Sequence, residues 1–233
     1  MLRDLNGTVL SLARVLRERR RVVTLSGNID WHTNTESIPR ASEFGERLAR
    51  CNALYGLGFE EWVFYPGMLF RALGTWWGNG GNRRRPHEGL DVCLYRTKDR
   101  KVHRFDEKTR IPVMYEGEVV KIGDDFLGRS VYISHSIYDS HGRQLLTIYG
   151  HTRPHDGIHP GRVLSEEDVL GAIADPGKRR GEIPPHIHIS VAWVPRSLCY
   201  EKFDWETIGD PGIVALLNPL DVIACRYSIL EDA

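Results

Sequence analysis

The stretch "RRRPHEGLDVCLYR", residues 83–96, sets His87 and Asp91 four positions apart around Gly89. Both side chains are metal donors, and a donor atom sits about 2.0–2.2 Å from a bound zinc. Four residues of straight strand span about 13 Å and would hold the two groups apart. Gly89 removes that objection, because glycine takes backbone angles that other residues avoid. Taken alone, the stretch is read either as a solvated turn leading into a strand or as half of a metal site. A second cluster, "PPHIHISVAWV", carries His186 and His188. On a strand these two share one face, about 6.5–7 Å apart, and they are read either as surface or core decoration or as a pair in which one imidazole holds a metal while the other works on the substrate or on metal-bound water. A third histidine, His151 in "TIYGHTRPH", follows a strand with Leu146, Ile148 and Gly150 on one side and Thr147 and Tyr149 on the other.

The elements that must position these groups are short. From about residue 59 the chain runs through "LDVCLYR", "GEVVKIG", "RSVYISHS", "QLLTIYGH", "DVLGAIA" and "HIHISVAWV", with glycine, proline and charge between them. Alternation of apolar and polar residues marks half-buried strands. The long helical crossovers that a parallel sheet needs are not visible between them. The expected fold is mainly β, an antiparallel β-sandwich or open barrel over residues 59–233, behind a partly helical N-terminal extension over residues 1–58. In that extension Leu5, Val9, Leu12 and Leu16 have the spacing of one helix face. "ASEFGERLARCNALYG" puts Phe44, Leu48 and Cys51 on another, with Gly56 as its stop.

Bulk properties narrow the function. The 233 residues carry 31 basic and 31 acidic side chains, a formal net charge of zero. This argues against a chain devoted to non-specific nucleic-acid binding, which needs a basic excess. No apolar run approaches the roughly 18–20 residues of a membrane span. The N-terminus is broken by charges and lacks a small-residue cleavage site, so it does not read as a signal peptide. Cys51, Cys93, Cys199 and Cys225 lie far apart without a C-x-x-C pair, which speaks against a cysteine-built zinc site.

The order H-x-G-x-D, then tyrosine–x–histidine, then H-x-H before a β run resembles the lysostaphin/LytM-type zinc metallopeptidases, largely peptidoglycan endopeptidases. The likeness extends over roughly residues 86–223 through "IPVMYEGEVVKIG", "GRSVYISHS", "YGHT", "HPGRVLSEEDVLGAIADPG" and "LNPLDVI". It implies one zinc per chain, held by His87, Asp91 and His188. It also implies His186 as general base, with His151 stabilising an oxyanion or sharing the proton, a division that the sequence leaves open. His135 resembles a family histidine that is not a ligand. The implied substrate is peptidoglycan or another peptide, and the implied place of work is the cell envelope.

Two departures bear on recognition. "ADPGKRRGEIPPHIH" stands where the family has a small-residue loop, and "HISV" replaces an aromatic and acidic run. Arg179 and Arg180 are read either as a solvated loop or, with Tyr149, as substrate contacts, since guanidinium groups match the carboxylates of a stem peptide. Arg83, Arg84 and Arg85 are read either as a solvated loop or as a second basic cluster beside the groove. "GTWWGNGGN" is read either as an aromatic wall or as core packing for Trp76 and Trp77. Three rivals stand beside the peptidase reading. A metal-free relative that binds cell wall or regulates another hydrolase would be expected to have lost ligands, and all five positions survive. A cupin-like enzyme would have H-x-H early and the single histidine late. A zinc peptidase acting on another protein fits the changed loop.

Overall fold

Strand β11, Ile187–Val194, is buried along its whole length, and its alternation divides the core. Ile187, Ile189, Val191 and Trp193 point into the larger apolar cluster. Ala192 and Val194 point the other way, into a smaller cluster with Leu146, Ile148, Phe203 and Ile208. A strand flanked on both faces in this way must be almost wholly apolar, and each fully buried Ile, Val or Leu contributes about 1.5–3 kcal/mol relative to exposure. His188 and Ser190 are exceptions on the second face, and both are buried.

The computed structural model describes residues 38–175 and 183–230, all within the unit Glu36–Ala233. Helix α1, Phe44–Cys51, comes first. It is followed by β1 (Phe59–Phe64), β2 (Leu90–Val92), β3 (Leu94–Thr97), β4 (Val102–Arg104), β5 (Arg110–Pro112) and β6 (Gly117–Asp124). Then come β7 (Arg129–Tyr138), β8 (Gln144–Pro154), β9 (Val163–Leu164), β10 (Val169–Ile173) and β11. The chain continues through α2 (Trp205–Ile208), β12 (Ala215–Leu217), α3 (Pro219–Val222) and β13 (Tyr227–Ile229). A nine-stranded sheet has the path β12-β11-β8-β7-β6-β9, with β2 on β11 and β5 joined through β10 to β8; a four-stranded sheet has the order β13-β1-β3-β4.

The fold is mainly β, and its named strands pair antiparallel except β1 and β13, which run parallel. "LDVCLYR" proves to be two strands rather than one. Leu90–Val92 pairs with β11, while Leu94–Thr97 pairs with β1, so the chain changes sheets at the buried Cys93. Helix α1 buries Phe44 and Leu48 in the same core as the strands. It ends before the expected Gly56, where Ala53 takes a left-handed conformation with φ 55°. The expected helix with Leu5, Val9, Leu12 and Leu16 lies outside the described residues. Among the described residues, no helix is long and apolar enough to cross a membrane.

Candidate metal centre

Strand register brings the first two clusters together. The β2–β11 ladder places Asp91 directly opposite His188, with Leu90 and Val92 turned into the core. His87, just before β2, closes the group. His87 Nε2 lies 3.1 Å from Asp91 Oδ1 and 3.0 Å from His188 Nδ1, and His188 Nδ1 lies 3.0 Å from the same oxygen. Gly89 permits this for a different reason from the one expected. It does not take the left-handed conformation. Its Cα instead passes so close to β11 that an added Cβ would stand 2.2 Å from the Ile189 carbonyl oxygen and 2.7 Å from His188 Nε2. Glycine is required here by space.

The outer atoms of the donors fix what the inner atoms offer. His87 Nδ1 faces the Leu69 carbonyl at 3.0 Å, and a carbonyl only accepts, so Nδ1 carries the proton and Nε2 presents a lone pair. His188 Nε2 bonds to the Ser190 hydroxyl at 2.9 Å, leaving Nδ1 to face inward. Burial lowers the His188 pKa to about 4, so this ring is neutral at pH 7. Burial alone would raise the Asp91 carboxyl, but its attraction to His87, His186 and His188 in their protonated forms outweighs burial and puts it well below the usual carboxylate range, so it is ionised at pH 7. Two lone pairs and an anionic oxygen thus converge on one point, which without a positive charge between them is repulsive. Donors around a tetrahedral zinc lie about 3.3 Å apart, close to the triangle observed. The set of two imidazoles and one carboxylate suits zinc and leaves a fourth position open. These three form the one candidate metal cluster among the described residues.

Asp91 is held from behind. Its Oδ2 accepts from Trp76 Nε1–H at 2.7 Å and from Arg83 Nη2 at 3.3 Å, so Oδ1 alone turns to the centre. Arg83 also donates to the carbonyls of Gly67 and Gly74 and lies over the Trp77 ring. Arg83 is therefore a support for a donor, and Arg85 donates to the Glu206 carbonyl at the exposed rim. Trp76 and Trp77 both pack against His186, one edge-on at 5.1 Å and the other stacked at 6.1 Å between ring centroids.

Two further imidazoles face the centre without joining it. His186 Nδ1–H donates to the Pro184 carbonyl at 2.8 Å, and its Nε2 lies 3.8 Å from Asp91 Oδ1. Burial lowers its pKa to about 4, so it is a neutral acceptor at pH 7. His151 arrives by a bulge. The β7–β8 ladder pairs Arg129 with Thr152 and then Val131 with Tyr149, so Gly150 and His151 lie opposite the single Ser130. Strict alternation would send His151 into the core beside Tyr149. The extra residue, with His151 at φ 62°, turns the ring onto the site face, 4.8 Å from His186. His151 Nδ1 bonds to Asp125 Oδ1 at 3.1 Å.

The five side chains line a cleft of about 380 Å³ whose walls include Trp77, Phe126 and Trp205. No protein-family profile matches the chain, and no curated protein matches it. Solved structures similar to it include the following two. The solution structure of lysostaphin, from NMR, shares 14% identity at a TM-score of 0.39, over 70% of this chain and 54% of that one. Helicobacter pylori Csd3 shares 19% identity at a TM-score of 0.37, over 75% of this chain and 36% of that one. The chain thus spans about half the length of the first and about a third of the second.

Of the expected site residues, His87, Asp91, His151, His186 and His188 come together. Tyr149 does not line the cleft. It is fully buried, and its hydroxyl accepts from the Met114 amide at 2.7 Å, because it occupies the core-facing side of β8. Arg179 and Arg180 lie outside the described residues. His135 stands apart between the Glu116 carbonyl and the Thr147 hydroxyl. The reading from sequence did not include Asp125, Ser190 or the bond from Trp76 to Asp91. Of these, only Ser190 carried a signal, since it lies two residues after His188 on the same strand face.

Proposed function

We propose that the chain is a zinc-dependent endopeptidase that hydrolyses peptide bonds of bacterial cell-wall cross-links, with one zinc held by His87, Asp91 and His188. The observation that carries the reading is the convergence of those three donors at 3.0–3.1 Å beside two imidazoles whose inner nitrogens remain open to a cleft. Zinc bound there supplies a Lewis acid that polarises a carbonyl and acidifies water. His186 keeps its proton on Nδ1 against Pro184 and offers Nε2 to accept another. His151, whose ring lies edge-on to that of His186, does the same, with its Nδ1–H donated to Asp125. Trp77, Phe126 and Trp205 exclude water from the sides and give a peptide apolar surface to lie against. The choice of peptidoglycan, and with it a place of work in the cell envelope, is supported by the order of the three motifs.

The test is to incubate zinc-loaded protein with purified peptidoglycan and identify released fragments by mass spectrometry, with H186A as control. Fragments broken at a peptide bond, absent with H186A although that variant still binds one zinc, are the expected result. Intact peptidoglycan after incubation with protein that holds one zinc would overturn the cell-wall assignment, and screening of other peptides would then identify the substrate.

A further inference from the structure

His151 is held in a backbone conformation that non-glycine residues seldom take, at the tip of a bulge, and one carboxylate holds it there. Asp125 Oδ2 accepts from the His151 backbone N–H at 2.8 Å, while Oδ1 accepts from His151 Nδ1–H at 3.1 Å. Asp125 also accepts from the amides of Leu127 and Gly128 at 2.9 and 2.7 Å and from the Ser130 hydroxyl at 2.8 Å. Five donors converge on two oxygens, so the group must be an acceptor throughout. An alanine would leave all five unpaired. An asparagine could keep its oxygen on Leu127, Gly128 and His151 Nδ1, and turn its NH₂ toward Ser130, whose hydroxyl is able to accept. The His151 backbone N–H would then face a donor. Phe126, the next residue, packs edge-on against the His151 ring at 4.7 Å, so a single turn fixes both the ring's plane and its proton.

Resting on the hydrolase reading above, we infer that Asp125 is the positioning residue of the reaction, which sets the bulge, the ring orientation and the Nδ1–H tautomer of His151 so that its Nε2 lone pair faces the cleft. The two cleft histidines then differ in kind. His186 leans on a neutral carbonyl, whereas His151 leans on a carboxylate that also offers a counter-charge while Nε2 holds a proton. A turn-building aspartate with no further task would need no contact with the His151 ring.

The experiment uses full-length zinc-loaded protein, labelled with ¹⁵N at histidine, as wild type, D125A and D125N. Long-range ¹⁵N–¹H correlation spectra, assigned with H151Q, read the tautomer of His151. Zinc content and peptide-hydrolysis kinetics are measured on the same samples. The expected result is a single Nδ1–H tautomer in the wild type and its loss in D125A. With one zinc still bound, kcat of D125A should fall by about 100-fold or more while KM changes little. D125N should keep the tautomer and recover part of kcat. An Nε2–H tautomer in the wild type overturns the inference even if neither variant folds. So does a folded D125A with the wild-type tautomer and kcat within about threefold of wild type, against the factor general acid–base groups supply. If the wild type cleaves no peptide yet shows the Nδ1–H tautomer that D125A abolishes, the hydrolase reading fails and the positioning stands.

Discussion

Substituting Gly89 probes the geometry on which the metal centre depends. A Cβ at this position would meet the Ile189 carbonyl oxygen at 2.2 Å, His188 Nε2 at 2.7 Å and the Ile189 carbonyl carbon at 2.8 Å. Ordinary contact begins near 3.4 Å, so β2 and β11 must separate by about 1 Å at their junction, and two of the opposing atoms are backbone that cannot swing aside. Overpacking of this kind costs about 1–3 kcal/mol, which for a chain of this length lowers Tm by about 6–12 °C at the upper end. The effect on the centre should be larger. Metal distances must hold to about 0.2 Å, and a shift of about 1 Å between His87 and His188 should weaken zinc binding on the order of 100-fold or more. G89A and G89N would be compared with wild type by chelator competition and by thermal melts with and without zinc. If space is the reason for glycine, asparagine is worse than alanine in both assays. Asparagine better than alanine would refute the argument, because that order belongs to a left-handed backbone. So would zinc affinity within about threefold of wild type in G89A, a smaller change than loss of even an outer support brings.

Other outcomes follow from the same structure. W76F keeps the ring packing against His186 but removes the donor to Asp91 Oδ2, and should weaken zinc about 10–100-fold with Tm of the metal-free protein nearly unchanged; equilibrium competition measures it. His135 is buried, and burial lowers its pKa from 6.5 to about 4. The folded state therefore keeps it neutral while the unfolded chain takes up a proton, so stability is complete above about pH 6.5 and is lost as pH falls toward 4. At pH 4.5 this amounts to about 2–3 kcal/mol, and H135Q should remove that part of the pH dependence in urea titrations. H186A should bind one zinc and release no fragments, which calorimetry and mass spectrometry check together.

The candidate metal site was largely legible in the sequence because its residues sit at strand spacings. His186 and His188 share a face by alternation alone, and "HEGLD" needed only a partner strand, which the β2–β11 register supplies. What stayed hidden depends on long-range contact. Asp125 lies 26 positions from His151 in "GDDFLG", where an aspartate ahead of a glycine turn reads simply as a turn. The bulge at Gly150 and His151 breaks the very alternation used to read β8, so Tyr149, expected at the substrate, faces the core while His151 faces the cleft. The division of "LDVCLYR" between two sheets, and the parallel pairing of Trp62 with Tyr227, are set by which strands arrive as neighbours. Local pattern is the same for either outcome.

Asp91 and His188 stand 97 positions apart in the chain, yet any cation between them would join them at one atom. As polymer physics, such an ion would be a removable staple across a long loop: held by the folded chain and not by the unfolded one, it would have to leave before the loop could open. At a free-metal concentration about a thousand times Kd it would add about 4 kcal/mol to the stability of the fold. Availability of metal would then govern how long the protein survives as well as whether it can act, and a substitution that loosens the staple would shorten its life along with its turnover.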